Sequence, residues 1–161
     1  MANVKTNAVR LLDLKKVDYI LREYDAPDGF LDGVSVAKVT GIEPERVFKT
    51  LVTQGSSREY YVCVIPVEKE LDLKKAAKHF GEKKLEMIPA RDITKVTGYI
   101  KGGCSPLGMK KQFRTAIDES ARRFERIVVS AGKVGLQIDL PLSALMEAAS
   151  AELAGLAADH E

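Results

Sequence analysis

Lys49 stands in the run Arg46-Val-Phe-Lys-Thr-Leu-Val-Thr-Gln54, whose β-branched and aromatic residues predict a strand. Alternation puts Val47, Lys49, Leu51 and Thr53 on one face of it. A lysine sharing a face with valine and leucine is either a snorkelling edge residue or a cation aimed into a cavity, where lysines usually have a partner or a task. The second candidate is backbone rather than side chain. Gly98-Tyr-Ile-Lys-Gly-Gly-Cys-Ser-Pro-Leu-Gly108 holds four glycines and a proline. Glycine permits positive φ and close approach, so that N–H groups can face an anion or a carbonyl oxygen. Pro106 fixes its own φ and biases Ser105 toward extended geometry. The result is a stiff loop whose backbone is itself a surface, although an ordinary tight connection between strands has the same composition. With the hydroxyls of Thr50, Ser105 and Ser130, this set suits oxyanion stabilisation and substrate positioning better than nucleophilic attack.

Other chemistries lack their residues. The only histidines are His79, in the lysine-rich run Lys74-Lys-Ala-Ala-Lys-His-Phe-Gly81, and His160, one residue from the C-terminus. Neither suits a general base in a shaped site, so serine and cysteine hydrolase mechanisms are not expected. Cys104 sits in the glycine loop with Lys101 as its one nearby cation, and reads as a small buried thiol filling space. Cys63 and Cys104 lack the short Cys/His spacing of a zinc site, and there is no HExxH, no Walker loop and no dinucleotide glycine fingerprint. No metal and no cofactor are expected.

The elements that must position these groups alternate in type. A helix is predicted over Asn7 to Val17, with Val9, Leu11, Leu12 and Leu14 near one face. Tyr19 to Tyr24 reads as a strand, Ala26 to Gly33 as an exposed loop, and Ser35 to Val39 as a short helix ended by Gly41. Glu59 to Pro66 pairs with the Lys49 strand as a hairpin and, being nearly all apolar, belongs inside the sheet. Asp72 caps a helix over Leu73 to Phe80, with Gly81 beyond its end. Lys84 to Ile88 is a short strand, and Pro89 starts a helix reaching Val96. After the glycine loop come a strand at Phe113 to Asp118, a helical turn at Glu119 to Phe124, and a strand at Arg126 to Ser130. A glycine turn at Ala131 to Gly135, a strand at Leu136 to Leu140, and a helix from Pro141 follow, then an alanine-rich helical tail. About seven strands and five helices in mixed order predict an α+β fold with a mixed, mostly antiparallel sheet.

The chain has 161 residues, enough for one domain with a proper core, and is expected to form a single domain over residues 1–161. Hydrophobic residues are 45% and charged residues 30%, the balance of a soluble globular protein. No apolar run approaches the roughly 18–20 residues of a membrane span, and the N-terminus shows no signal peptide, so a cytoplasmic protein with free thiols is expected. A net charge of +2 is far from a strong nucleic-acid footprint.

Five motifs occur in one order: Val47-Phe-Lys-Thr-Leu51, Leu71-Asp-Leu-Lys-Lys-Ala-Ala-Lys78, Lys83-Lys-Leu-Glu-Met87, Thr97 to Lys111 across the glycine loop, and Val129-Ser-Ala-Gly-Lys-Val-Gly-Leu136. In combination they resemble the YbaK/EbsC proteins, which are similar to the editing domain inserted in bacterial prolyl-tRNA synthetases. The resemblance runs from about Thr6 to Leu156. It implies a sheet curled into a barrel-like core with helices outside, and hydrolysis of mischarged tRNA, above all Cys-tRNA(Pro). It also implies that Lys49 is the essential lysine near the tRNA 3′ end, that Gly102, Gly103 and Ser105 line the aminoacyl pocket, and that Tyr24, Thr50 and Ser130 hold pocket positions. In cysteine-specific members the substrate's own thiol is thought to attack the ester, which fits a chain with no good nucleophile of its own. Several relatives carry histidines where this chain has Arg22 and Ala26, and many have isoleucine at Cys104, so substrate preference is less fixed than reaction class.

A tRNA partner would meet a basic rim drawn from Lys74, Lys75, Lys78, Lys83, Lys84, Lys110, Lys111, Arg122, Arg123 and Lys133. With 6% aromatics and no Trp for stacking bases, contact is expected to be weak, with specificity supplied beside prolyl-tRNA synthetase. The rival readings are a deacylase for Ala-tRNA(Pro) or another small amino acid, a non-catalytic binding module acting in regulation, and a structural protein without a pocket.

Overall fold

The computed structural model describes residues 5–25 and 33–158. Two sheets carry the molecule. The first has the order β1 (Ile20–Glu23), β7 (Leu136–Pro141), β6 (Arg126–Lys133), all antiparallel. The second has the order β4 (Leu85–Met87), β2 (Phe48–Gly55), β3 (Tyr60–Pro66), β5 (Arg114–Asp118), β8 (Ala151–Ala154). Its pairings are antiparallel from β4 to β3 and parallel from β3 to β8. Among the described residues one parallel bridge, Val47 to Val128, joins the two sheets. The expected α+β class with a mixed, mostly antiparallel pairing is borne out.

β3 explains its own sequence. It lies inside the second sheet, and both of its faces are covered. Val62 and Val64 enter the main core with Phe48, Ile117, Ile127, Val129, Ile138, Leu140 and Leu145. Tyr61, Cys63 and Ile65 face the other way, onto Ala76, Ala77 and Phe80 of α3 (Leu73–Phe80). Asp72 caps α3 by accepting from the N–H groups of Lys74 and Lys75, and Gly81 ends it at φ +79°. α1 (Asn7–Leu14) buries Ala8, Val9 and Leu12 in the main core, whereas Leu14 is 80% exposed and does not share that face. Thr6 ties α1 down: its hydroxyl accepts from Val9 N and donates to the Ala131 carbonyl of β6.

Several boundaries differ from expectation. α2 (Gly33–Thr40) begins before Ser35, and the expected loop at residues 26–32 lies outside the described residues. Pro89 precedes a 3-10 turn, with α4 confined to Ile93–Thr97. β6 runs on to Lys133 through an irregularity after Ser130, where a plain turn was expected. The tail after α5 (Leu142–Ala149) is a strand, not a helix. Ser150 adopts a left-handed φ of +52°, breaking the helix, and β8 then pairs parallel to β5. Edge pairing outweighs the helix preference of alanine there.

Candidate active site

A cavity of about 820 Å³ opens between β2, the β6–β7 pair, α2 and the glycine loop. That size is within the range of small-ligand sites. Tyr24, Lys49, Thr50, Gly102 and Ser130 all line it, together with Ser35, Val47, Leu51, Ile93, Lys101, Cys104 and Gln137. The five expected residues come from four separate stretches of the sequence and converge on one space. Gly103 and Ser105 do not line it.

β2 contributes through an open edge. Val47 O accepts from Val67 N on the β3 side, and Val52 O accepts from Ile88 N on the opposite side. Antiparallel alternation between these two points turns the backbone N–H and C=O of Thr50 toward the open side. The gap lies between the Val47–Val128 bridge and the first β4 pair at Thr53. The Lys49 side chain is flanked on its strand by buried Val47 and half-buried Leu51, and stands across from fully buried Ile65. Among the described residues its ammonium makes no hydrogen bond or close ion pair. Burial pulls its pKa below the ordinary lysine value, and the charge of Glu70 partly offsets that.

Two polar atoms at the cavity residues are orphaned. Thr50 Oγ1 and the Gln137 carboxamide oxygen are buried with no hydrogen-bond partner among the described residues. Gln137 is only 5% exposed. Leaving such a group unpaired costs about 1–3 kcal/mol, so each is a candidate to be completed by a ligand. Gln137 escaped the sequence reading because a single glutamine in an apolar strand carries no motif. Its pairing with Ser130 across β6–β7, which marks it, is visible only in the register.

Tyr24 is held over the β6–β7 turn by donating its N–H to Gly135 O at 2.9 Å. The Ser130 hydroxyl accepts from Gly132 N at 3.1 Å. Within the glycine loop, Thr97 Oγ1 accepts from Tyr99 N, the Tyr99 hydroxyl donates to Leu107 O, and Ser105 Oγ accepts from Leu107 N. Ser105 is thus fully buried and spent on the loop itself. A methyl at Gly103 would meet the Val134 amide nitrogen at 3.0 Å and the Lys133 backbone at 3.2 Å, not the cavity. One at Gly108, where φ is +73°, would lie 2.7 Å from the Asn7 carbonyl carbon. Gly102, at φ +87°, is the loop glycine that lines the cavity.

Burial pushes the Cys104 thiol up to about 11, although a hydrogen bond with Thr97 pulls the other way. It carries almost no thiolate at neutral pH. His79 lies on α3 against Glu152 at 3.0 Å and is not a cavity residue, and His160 lies outside the described residues. Among the described residues no three His, Cys, Asp or Glu side chains converge as a metal site would require. None of the ten lysines and arginines expected as a basic rim lines the cavity; its cations are Lys49 and Lys101. No helix among the described residues is long and apolar enough to cross a membrane.

Residues 32–148 match the family model described as the aminoacyl-tRNA editing domain. The chain is 48% identical over 150 residues to the Enterococcus faecalis protein named "Putative Cys-tRNA(Pro)/Cys-tRNA(Cys) deacylase EbsC", covering 93% of this chain and 92% of that one. It is 26% identical over 111 residues to the uncharacterized protein YwhH of Bacillus subtilis, covering 69% of this chain and 70% of that one. Among solved structures, a "putative trans-editing enzyme for prolyl tRNA synthetase" superposes with a TM-score of 0.82 at 20% identity. That match covers 98% of this chain and all of the other, and shares the fold.

Proposed function

The chain belongs to the aminoacyl-tRNA editing domain family, and from that premise we propose that it is a trans-editing aminoacyl-tRNA deacylase that hydrolyses mischarged Cys-tRNA(Pro). The observation that carries this reading is the content of the cavity. A half-buried ammonium and two unpartnered polar groups converge there, beside a thiol too weakly acidic to attack. Such a site positions and polarises an ester and leaves the nucleophile to the substrate.

The steps follow from that division of labour. The cysteinyl thiol gives up its proton and its sulfur bonds to its own carbonyl carbon. Negative charge develops on the carbonyl oxygen, where the Lys49 ammonium and the Thr50 backbone N–H are the available stabilisers. Collapse breaks the ester C–O bond, the ribose oxygen leaves as a hydroxyl after taking a proton, and water opens the resulting thiolactone to free cysteine. Gln137 accepts a hydrogen bond from the substrate, its α-ammonium being the strongest donor near the ester. Tyr24, Gly102 and Ser130 shape the space around it. Selectivity for the tRNA is assigned to action beside prolyl-tRNA synthetase.

Deacylation of Cys-tRNA(Pro) and Ala-tRNA(Pro), by the unmodified protein and by Lys49→Ala, tests the reading. Loss of cysteine alone, abolished by the substitution, is the expected result. Equal loss of alanine would show that water attacks directly and would sink the thiol-assisted step. Hydrolysis of neither, with tRNA and synthetase present, would sink the deacylase.

A further inference from the structure

Asp139 is buried, with its side chain 3% exposed, and three arginines reach it. Arg22 donates from Nε and Nη2 to Oδ2 at 3.1 and 2.8 Å. Arg126 donates from Nε to Oδ1 at 3.0 Å and from Nη2 to the Asp139 carbonyl at 2.8 Å. Arg46, in the 3-10 turn before β2, sits at 3.3 Å from Oδ2 and also reaches Arg126 O. Burial alone would raise the Asp139 pKa, but the three guanidiniums hold its carboxyl below the usual range, so it is ionised throughout the neutral region.

One carboxylate does not balance three guanidiniums. Among the described residues the other acid paired with the cluster is Glu43, 3.9 Å from Arg46 and 71% exposed. The cluster keeps an excess of positive charge, and its donors are not exhausted. Among the described residues, neither Arg22 Nη1 nor Arg126 Nη1 makes a hydrogen bond. Both side chains remain reachable, 38% and 31% exposed. The three arginines tie β1, β6 and the 3-10 turn before β2 to Asp139 of β7, and Arg22 and Arg126 do so while keeping part of each guanidinium exposed.

The place of the cluster is set by register. Arg22 pairs with Gln137, and Gln137 with Ser130, so these three side chains form one rank on one face of the first sheet. Asp139 and Val128 form the next rank, about 7 Å along the strands. Gln137 and Ser130 line the cavity, and so does Val47, the neighbour of Arg46. The arginine cluster therefore adjoins the cavity rim. We infer that Arg22, Arg46 and Arg126 form a phosphate-binding site that takes a backbone phosphate of the RNA whose 3′ end enters the cavity. The inference rests on the deacylase reading for the identity of the RNA. Guanidinium is the suitable group, because its planar fork meets two phosphate oxygens at once while Asp139 holds it in place.

The test uses the whole chain, with two probes: inorganic phosphate, and a short single-stranded RNA ending in CCA with a free 3′-hydroxyl. Phosphate is expected to raise the midpoint of thermal unfolding above chloride at equal ionic strength, and Arg22→Gln to remove most of that shift. The same substitution is expected to weaken RNA binding about tenfold. It should also reduce the slope of log affinity against log salt by about 0.7, the loss of one phosphate contact on a single strand. Arg22→Lys should keep the slope and recover part of the affinity, a rescue that a merely structural role would not give. Circular dichroism of each variant shows that it is folded, and Arg126→Gln is the substitute should Arg22→Gln be disordered. An RNA affinity and salt slope unchanged in both glutamine variants would overturn the proposal, even where the phosphate shift is lost. Hydrolysis of Cys-tRNA(Pro) by the unmodified protein is read in parallel. Its absence alongside intact, arginine-dependent RNA binding would remove the deacylase and leave this site standing.

Discussion

The strand side and the loop side of the cavity both announce themselves by unusual residues, yet they build the site by different means. β2 offers groups directly: the Lys49 ammonium, the Thr50 hydroxyl, and a stretch of open strand edge. The glycine loop turns most of its conspicuous residues inward. Ser105 hydrogen bonds to the loop's own backbone, Gly103 lies against the β6–β7 turn, and Gly108 lies against the start of α1. Only Lys101, Gly102 and Cys104 reach the cavity. On one side the residue types carry chemistry. On the other they carry shape, and small size is needed because neighbouring backbone is already there.

Substitution should separate the two sides by what is lost. Lys49→Ala is expected to lower kcat for deacylation by about 10²–10³-fold, the usual cost of removing an oxyanion-stabilising group. Its unfolding midpoint should be unchanged or higher. Gly108→Ala should do the reverse in kind. Its methyl meets Asn7 backbone at 2.7 Å in a left-handed residue, so a stability loss of about 3 kcal/mol is expected. Denaturant titration beside single-turnover kinetics reads both. A Gly108→Ala protein of full stability and no activity would break the comparison.

Gly103→Ala is the milder form of the same experiment. Contacts of 3.0–3.2 Å to the Val134 and Lys133 backbone require a small shift of the β6–β7 turn, costing about 1–2 kcal/mol. That turn carries Gly135, which holds Tyr24, and it follows Ser130. Activity should therefore fall through displaced pocket residues, with KM rising more than kcat falls. A large drop in kcat at unchanged KM would instead put Gly103 against the reacting atoms.

How much of this was legible follows from the range of each interaction. The α3 cap at Asp72, its stop at Gly81, and the apolar interior strand β3 are local patterns, and the chain order shows them plainly. The convergence of Lys49, Thr50, Gly102, Ser130 and Tyr24 was named from motifs that resemble a family, and register brings them to one cavity. Gln137 as a site residue and the gathering of Arg22, Arg46 and Arg126 around Asp139 are not legible in the sequence. Their meaning lies in pairs separated by up to 117 residues, and no local spacing records it. β8 was misread because alanine-rich sequence favours a helix in isolation, while a free edge of β5 and a left-handed Ser150 favour a strand in place. Ser105 and Gly103 show the converse case: their motif is conspicuous, but loop hydrogen bonds and the β6–β7 backbone place them behind the cavity wall. A residue can be fixed in a motif because it builds the wall from behind.

The smallest effect sharpens the comparison most, because it asks whether β2 gives up stability to present its lysine. The Lys49 pKa is depressed in the fold, chiefly by burial, below the 10.5 of an ordinary lysine. At neutral pH both folded and unfolded chains bind the proton, and the cost of desolvating the ammonium is fully present. Between the folded pKa and 10.5 the unfolded chain keeps a proton that the native state releases, so stability from this group rises with pH across that window. Lys49→Met keeps the stem's packing and removes the charge. It should be more stable than the unmodified protein at pH 7, by no more than about 1 kcal/mol after solvent screening of a half-buried group. That advantage should shrink as pH approaches 10.5, as urea titrations at pH 7 and pH 10 would read. A Lys49→Met protein less stable at pH 7 would mean that Glu70 more than compensates the burial. Lys49 would then join the loop glycines as a structural residue, and the contrast between the two walls would fail.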